Sequence, residues 1–436
     1  MIKSILKHSS RYFSTSIFTA GLSFLMLKYY TAVLTPKEFG IYSMYFIMVQ
    51  YLALLVFFND GGFNIMYFKT NNKKKYINMN ISFMILLSLF LMIFAFIAMP
   101  FIVPFIADNT YDIFIVSLIV GLGAGFIKMF YRILINEELS SSHMKSNIYQ
   151  ASANHGFSFI LMSLFNLGVM GRQLGQLIGQ TFSLFQVRNE LKRKLDFNFI
   201  FIKNFADLKE TFHLAWPIFI SSLMVIVFSY TDRIFLNHFN GLEKVGIYAL
   251  GFTIGQSLSM VNDAMALAFF PKVMNSLKTN YFDALKNIEK IAILYYLFLF
   301  VLAILLAFNT NIIVNIISNK NYSESSQIVS IIFIAFLIGG FYKIPTMILS
   351  HHKVTKFYPY LSFFSFSINA ILNFIFIPKY GVYGAAFATL IGTALYSYFI
   401  QIMSFKYLSK KYMMITTCFY IVSFIFGCYF VKGIIL

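Results

Sequence analysis

Residues 77–104, INMNISFMILLSLFLMIFAFIAMPFIVP, run for 28 positions without one charged side chain. A helix of that length crosses the ~30 Å of hydrocarbon in a bilayer, whereas a soluble domain has nowhere to hide it. Similar stretches fill roughly 12–34, 40–59, 111–135, 146–167 and 170–187. After a basic polar segment they resume at about 212–237, 245–270, 289–317, 327–349, 357–377, 381–404 and 412–432. Nothing between them is long and hydrophilic enough to fold by itself. Only 11% of residues are charged and 59% are hydrophobic, where a soluble domain has about 25% charged. The class is therefore an all-α, polytopic helical membrane protein.

The net charge of +18 would suit a nucleic-acid binder if the cations formed one patch. They follow the spans instead. With the N-terminus inside, 24 Lys and Arg fall in cytoplasmic segments and seven, including Lys37, Arg172, Arg233 and Lys244, fall outside. That bias places the N-terminus in the cytoplasm and argues against nucleic acid as a partner. Three lysines, Lys28, Lys128 and Lys343, remain inside apolar spans. Cys418 and Cys428, both in the last span, read as small apolar residues.

The chain also repeats itself. KEFGIYSM (37–44) and EKVGIYAL (243–250) each follow a long apolar run, and six spans separate them. An even number of spans preserves orientation, so both copies of Gly-Ile-Tyr belong on outside loops. Two parallel six-helix halves follow, related by an axis along the membrane normal. The expected division is an N-terminal lobe at 1–190, a cytoplasmic connector at 191–210, a C-terminal lobe at 211–405 and an additional segment at 406–436. Asp60 and Asp263 lie near the same end of the second span of each half. Lys128 and Lys343 lie on the fourth span, about two turns before its cytoplasmic end.

YTDRIFLNHFNGLEKVGIYAL (230–250) resembles the Asp-Arg…Gly…Val-Gly-x-Tyr pattern that opens the second half of bacterial polysaccharide flippases. NAILNFIFIPKYGVYGAAFATLIG (369–392) is similar to their Pro-x-Tyr-Gly-x-x-Gly-Ala-Ala segment, and LTPKEFGIYSMYF (34–46) to their first outside loop. The family is the Wzx-type O-antigen and polysaccharide flippases, in the superfamily that also holds multidrug-extrusion (MATE) proteins and lipid II flippases. The resemblance implies alternating access by two lobes, moving undecaprenyl-diphosphate-linked oligosaccharide between leaflets. An H+ or Na+ gradient would drive it without a bound cofactor, and a polymerase and a ligase would take the product. The family's usual count is twelve spans, so 412–432 makes a thirteenth.

Lysines at depth cost about 2.5–3.5 kcal/mol each on insertion scales, which asks for a reason. A diphosphate supplies one: Lys28, Lys128, Lys343 and Arg233 are the candidate substrate contacts, Lys128 and Lys343 nearer the inner side and Lys28 and Arg233 nearer the outer. Snorkelling to the interface is the plain alternative. Asp60 and Asp263 are candidates for ion coupling, or else carboxylates paired with nearby lysines. Asp232 and Arg233 suit a structural ion pair, His155 a satisfied core histidine, and Asn154, Gln150, Asn369 and Asn373 either a polar lumen or interhelical glue. Pro217 and Pro345 mark possible helix breaks. A membrane polymerase or sugar transferase would need a carboxylate or histidine cluster on an outside connector, and those near 105–110, 238–244 and 318–326 carry none, so the chain is not expected to be an enzyme. A MATE-like exporter of cationic drugs would want an acid in the first span, which has Lys28 instead.

Overall fold

The structure, a computed structural model, describes residues 2–107, 109–195, 206–279, 281–354 and 356–435. Among them every regular element is helical. The order begins α1 (Ile2–Val33), α2 (Pro36–Val56), α3 (Asp60–Lys69), α4 (Lys73–Ile106), α5 (Tyr111–Asn136), α6 (Ser140–Ser163) and α7 (Gly168–Leu195). It continues α8 (Ala206–Asn240), α9 (Leu242–Thr279), α10 (Tyr281–Phe308), α11 (Thr310–Ile317), α12 (Ser325–Phe341), α13 (Lys343–His351), α14 (Tyr358–Ser404) and α15 (Lys410–Ile435). Eight helical stretches are long and apolar enough to cross a membrane: α2 with α3, α4, α5, α8, α10, α12 with α13, α14, and α15. The last covers the segment at 412–432.

Contacts divide the chain into two compact units, Met1–Ile226 and Val227–Leu436, so the division falls inside α8. Of the connector at 191–210, residues 196–205 lie outside the described residues.

Burial follows composition. α12 is apolar all round, which is the pattern of a helix enclosed on every side. It is the core of the second unit, buried along nearly its whole length against α9, α10, α14 and α15. α4 is as apolar but exposes Phe90, Phe94, Ile97, Phe101 and Phe105, a stripe at helical spacing that suits lipid.

Several expected spans are broken helices. The span at 40–59 is α2, a non-helical turn at 57–59, and then α3. That at 289–317 is interrupted at Asn309, and that at 327–349 at Tyr342, directly before Lys343 and two residues ahead of Pro345's predecessor in the first turn of α13. Pro217 interrupts nothing, since α8 runs through it. Within α14, Gly381 has φ +55°, a backbone that favours glycine, and it marks the turn between the stretches expected at 357–377 and 381–404. The copies of Gly-Ile-Tyr are not on loops. Gly40 sits in the first turns of α2, which Thr35 caps with a reciprocal Glu38 contact, and Gly246 sits in the first turns of α9.

The break before α3 brings backbone against backbone. A Cβ on Gly62 would stand 1.9 Å from the carbonyl oxygen of Thr211 and 3.0 Å from the nitrogen of Ala215, both in α8. Tyr76 of α4 reaches the same turn, its hydroxyl 3.0 Å from Thr211 Oγ1. Gly62→Ala is therefore expected to lower the thermal midpoint of the purified protein, at a cost of about 1–3 kcal/mol from overpacking. Gly156→Ala, where nothing lies within 4 Å of the added carbon, is the control and should cost nothing. Equal midpoints for the two variants would refute the clasp.

Candidate functional site

α5 places Lys128 and Arg132 four residues apart, hence on one face of the helix. Two cations at that spacing repel each other unless something intervenes. Here Asp60, the first residue of α3, takes Arg132 in a two-pronged contact: Nε donates to Oδ1 and Nη2 to Oδ2, each at 2.7 Å. Lys128 has no hydrogen bond or ion pair among the described residues, and its side chain is exposed.

All three line a cavity of about 590 Å³ that lies wholly in the first unit. Its walls come from α2, α3, α5, the start of α6 and the first part of α8. Its lining includes the apolar Phe57, Phe58 and Phe219, and the rings of Phe58 and Phe219 meet edge to face at 5.9 Å. Polar residues complete it. Tyr131 is fixed there, donating to Gln150 Oε1 at 2.6 Å and lying 2.8 Å from Ser183 Oγ, which ties α5 to α6 and α7. His143, ahead of the apolar part of α6, packs its ring on Tyr131 with centroids 5.0 Å apart. Burial pushes its imidazole down to about 4, so it is neutral near pH 7. The cavity's charge is then set by two cations and one carboxylate.

The remaining candidates lie elsewhere. Lys28 is exposed on α1 and has no polar side-chain partner among the described residues. Lys343 is not the unpaired lysine that the sequence suggested: its ammonium is 2.6 Å from Asp263 Oδ1 and 5.0 Å from the ring of Tyr342. In each unit, then, the acid of the second span meets a cation of the fourth, Asp60 with Arg132 and Asp263 with Lys343. Arg233 is 4% exposed and enclosed by aromatic faces, Phe252 at 4.7 Å and Tyr230 at 5.1 Å. Its Nη1 donates to the carbonyl of Ser229 at 2.8 Å and lies 3.8 Å from Asp232. Asp232 also accepts from the hydroxyl of Tyr248 at 2.5 Å.

A buried arginine in the first unit escaped the sequence. Arg172, counted there among outside residues, is 7% exposed in the second turn of α7. It donates to Asn154 Oδ1 at 2.6 Å and to the Tyr42 hydroxyl at 3.2 Å, with the rings of Tyr30 and Tyr42 at 4.9 and 5.1 Å. This explains the repeated Gly-Ile-Tyr. Tyr42 faces the buried Arg172 of its unit, and Tyr248 lies 5.8 Å from the buried Arg233 of the other. The signal was present as the two tyrosines; their partners were not. His155 is buried between the Tyr30 hydroxyl at 2.7 Å and Ser23 Oγ at 3.1 Å. Gln150 and Asn154 bond across helices, to Tyr131 of α5 and Arg172 of α7, whereas Asn369 and Asn373 bond each other at 3.1 Å within α14 and join no second helix among the described residues.

A family described as MatE matches residues 217–375, and one described as polysaccharide biosynthesis protein matches residues 5–277. Over 418 residues the chain is 24% identical to the capsular polysaccharide biosynthesis protein CapF of Staphylococcus aureus, covering 93% of this chain and 100% of that one. Over 228 residues it is 25% identical to a Shigella flexneri protein named as an O-antigen transporter, 50% of this chain and 51% of that one. The chain thus spans about half the length of that relative, and 39% of a Methanocaldococcus jannaschii membrane protein that it matches at 26% identity. In fold it is similar to the solved structure of the lipid II flippase MurJ in an inward closed conformation, with a TM-score of 0.77 over 98% of both chains at 14% identity. The polysaccharide biosynthesis match takes in well over half of the sequence, and the chain belongs to that family.

Proposed function

We propose that the chain is a flippase that carries a glycan linked to undecaprenyl diphosphate from the inner to the outer leaflet of a bacterial cytoplasmic membrane. The observation that carries this reading is Lys128, a cation with no hydrogen bond or ion pair among the described residues, on the wall of the first unit's cavity. Lipid cannot stabilise an ammonium group and no carboxylate is bonded to it. A diphosphate with two or more negative charges can, and a compact ammonium lets such a group leave again because it imposes no fixed geometry. The apolar wall of Phe57, Phe58 and Phe219 offers faces for the less polar sides of sugar rings. The names of the Staphylococcus and Shigella relatives support a saccharide cargo.

In this reading Lys28 is a second substrate contact, open on α1. Lys343 and Asp263 hold the start of α13, and Arg233 orients α8 from within its aromatic enclosure. An ion gradient remains the driving force that the resemblance implies, with the carboxylates Asp60 and Asp263 each engaged by a cation at rest. The match to the MatE family favours a second reading, export of a cationic drug. Such a cargo needs an uncompensated carboxylate in the cavity, and Asp60 is compensated.

Lys128→Ala should reduce transport of a fluorescent prenyl-diphosphate trisaccharide into proteoliposomes by about 10- to 100-fold, the worth of one charge-assisted contact. Lys128→Arg should retain much of it. Wild-type rates in Lys128→Ala at equal protein density would sink the proposal.

The cavity's histidine sets a second expectation, about stability. Its native value near 4 lies below that of an unfolded histidine, so the unfolded chain takes up the proton first as pH falls. The stability it contributes is complete above about pH 6.5 and is lost as pH falls toward 4. His143→Gln should therefore flatten the drop in thermal midpoint between pH 7 and 4.5, and an unchanged drop would show that this imidazole is not buried neutral.

A further inference from the structure

We infer that Asp60 is a built-in competitor for the anion that the cavity receives, and that loading exchanges Arg132 from this carboxylate to phosphoryl oxygens. The inference rests on the proposed function and concerns how that same cavity is filled and emptied.

At rest the fork of Arg132 is fully occupied, with both of its contacts to Asp60 at 2.7 Å. A planar guanidinium offers the same paired donors to a carboxylate and to a phosphate, so the two are rivals for one position. The pair is within reach of a solute: the Arg132 side chain is 33% exposed, that of Asp60 is 40% exposed, and both line the cavity. Lys128, one turn away on the same helix face, supplies the attraction that brings an anion alongside. A monovalent anion would gain little by displacing a carboxylate of equal charge. A diphosphate, which can engage Lys128 and Arg132 together, gains more than it displaces.

Exchange also requires somewhere for the released carboxylate to go. Asp60 opens α3, and negative charge is favoured at a helix N-terminus. The preceding Asn59 makes no side-chain cap to that helix; its amide nitrogen donates to Asn80 Oδ1 at 2.7 Å. The N–H groups of Asp60 and Phe63 are bonded to the carbonyls of Phe57 and Asn59, so those of Gly61 and Gly62 are the ones left for the Asp60 carboxylate to approach. Gly61 and Gly62 are held against α8, so the movement is confined to the side chain while α3 stays in place. Emptying is the reverse: the carboxylate returns to Arg132 and helps the diphosphate leave.

The chain carries its own reporter. Trp216 is its single tryptophan, and its ring lies 5.8 Å from that of Phe219 in the cavity wall. Purified protein would be titrated with farnesyl diphosphate while Trp216 fluorescence is followed. Asp60→Asn should bind about fivefold tighter than wild type, the worth of a partly exposed ion pair. Arg132→Gln should bind more weakly, and the double variant no more tightly than Arg132→Gln. Removing either partner should lower thermal stability, so the Asp60 change has opposite signs in the two measurements. Asp60→Ser gives the same test should Asp60→Asn accumulate poorly. Inorganic pyrophosphate run in parallel separates the sources: a gain with both probes assigns the exchange to phosphoryl oxygens alone, and a gain with farnesyl diphosphate only assigns it to a lipid-linked anion. Equal or weaker binding by folded Asp60→Asn overturns the exchange. If Lys128→Ala still abolishes binding in that case, the proposed function stands without it; no binding by any form would remove both.

Discussion

Each cation set into these helices has to be stabilised locally, because hydrocarbon offers it nothing, and the architecture around each one follows from the solution used. Arg132 and Lys343 are met by a carboxylate on another helical segment of their own unit. Arg172 and Arg233 are met by aromatic faces and a few oxygens, the weaker hydration of guanidinium making that enclosure tolerable. Lys128 alone among these five takes neither course and is left to the cavity. The proposed substrate contact in the cavity is thus a place where that compensation is withheld.

The first unit holds that cavity open by closeness elsewhere. Glycines at 121 and 125 let α5 lie against Leu52 and Val56 of α2, and Gly62 brings α3 onto α8. Tight contact at these points fixes the cavity walls relative to each other, so a cleft can persist between helices that would otherwise collapse on their apolar faces. Rigidity of this kind is what lets one lysine face an open space and not a neighbour.

Much of this was legible in the sequence, and the reason is physical. Long apolar runs report candidate membrane spans whatever their packing, since length and hydropathy are local properties of the sequence. Lys128 and Asp60 could be picked out because charge within an apolar run is costly wherever it points. Partnership could not be read, since Lys343 and Asp263 are 80 residues apart and only tertiary packing joins them. The breaks at Asn309 and Tyr342 were hidden because hydropathy continues across them. Arg172 was hidden by position: four residues from the start of α7, it resembled a loop cation until Tyr30 and Tyr42 were seen around it.

The division of the chain inside α8 bears on how such proteins diversify. By repeat arithmetic α8 is the first helix of the second half, yet its first part, with Ile218, Phe219 and Ser222, is a wall of the first unit's cavity. The halves that the sequence repeat suggests are therefore not separable at the connector. Recombination within the basic connector would join one parent's cavity floor to the other parent's wall, and the Gly62 seat to a foreign turn. A crossover placed after residue 226 keeps wall, floor and seat of common descent, so the cavity is inherited in one piece with the first unit.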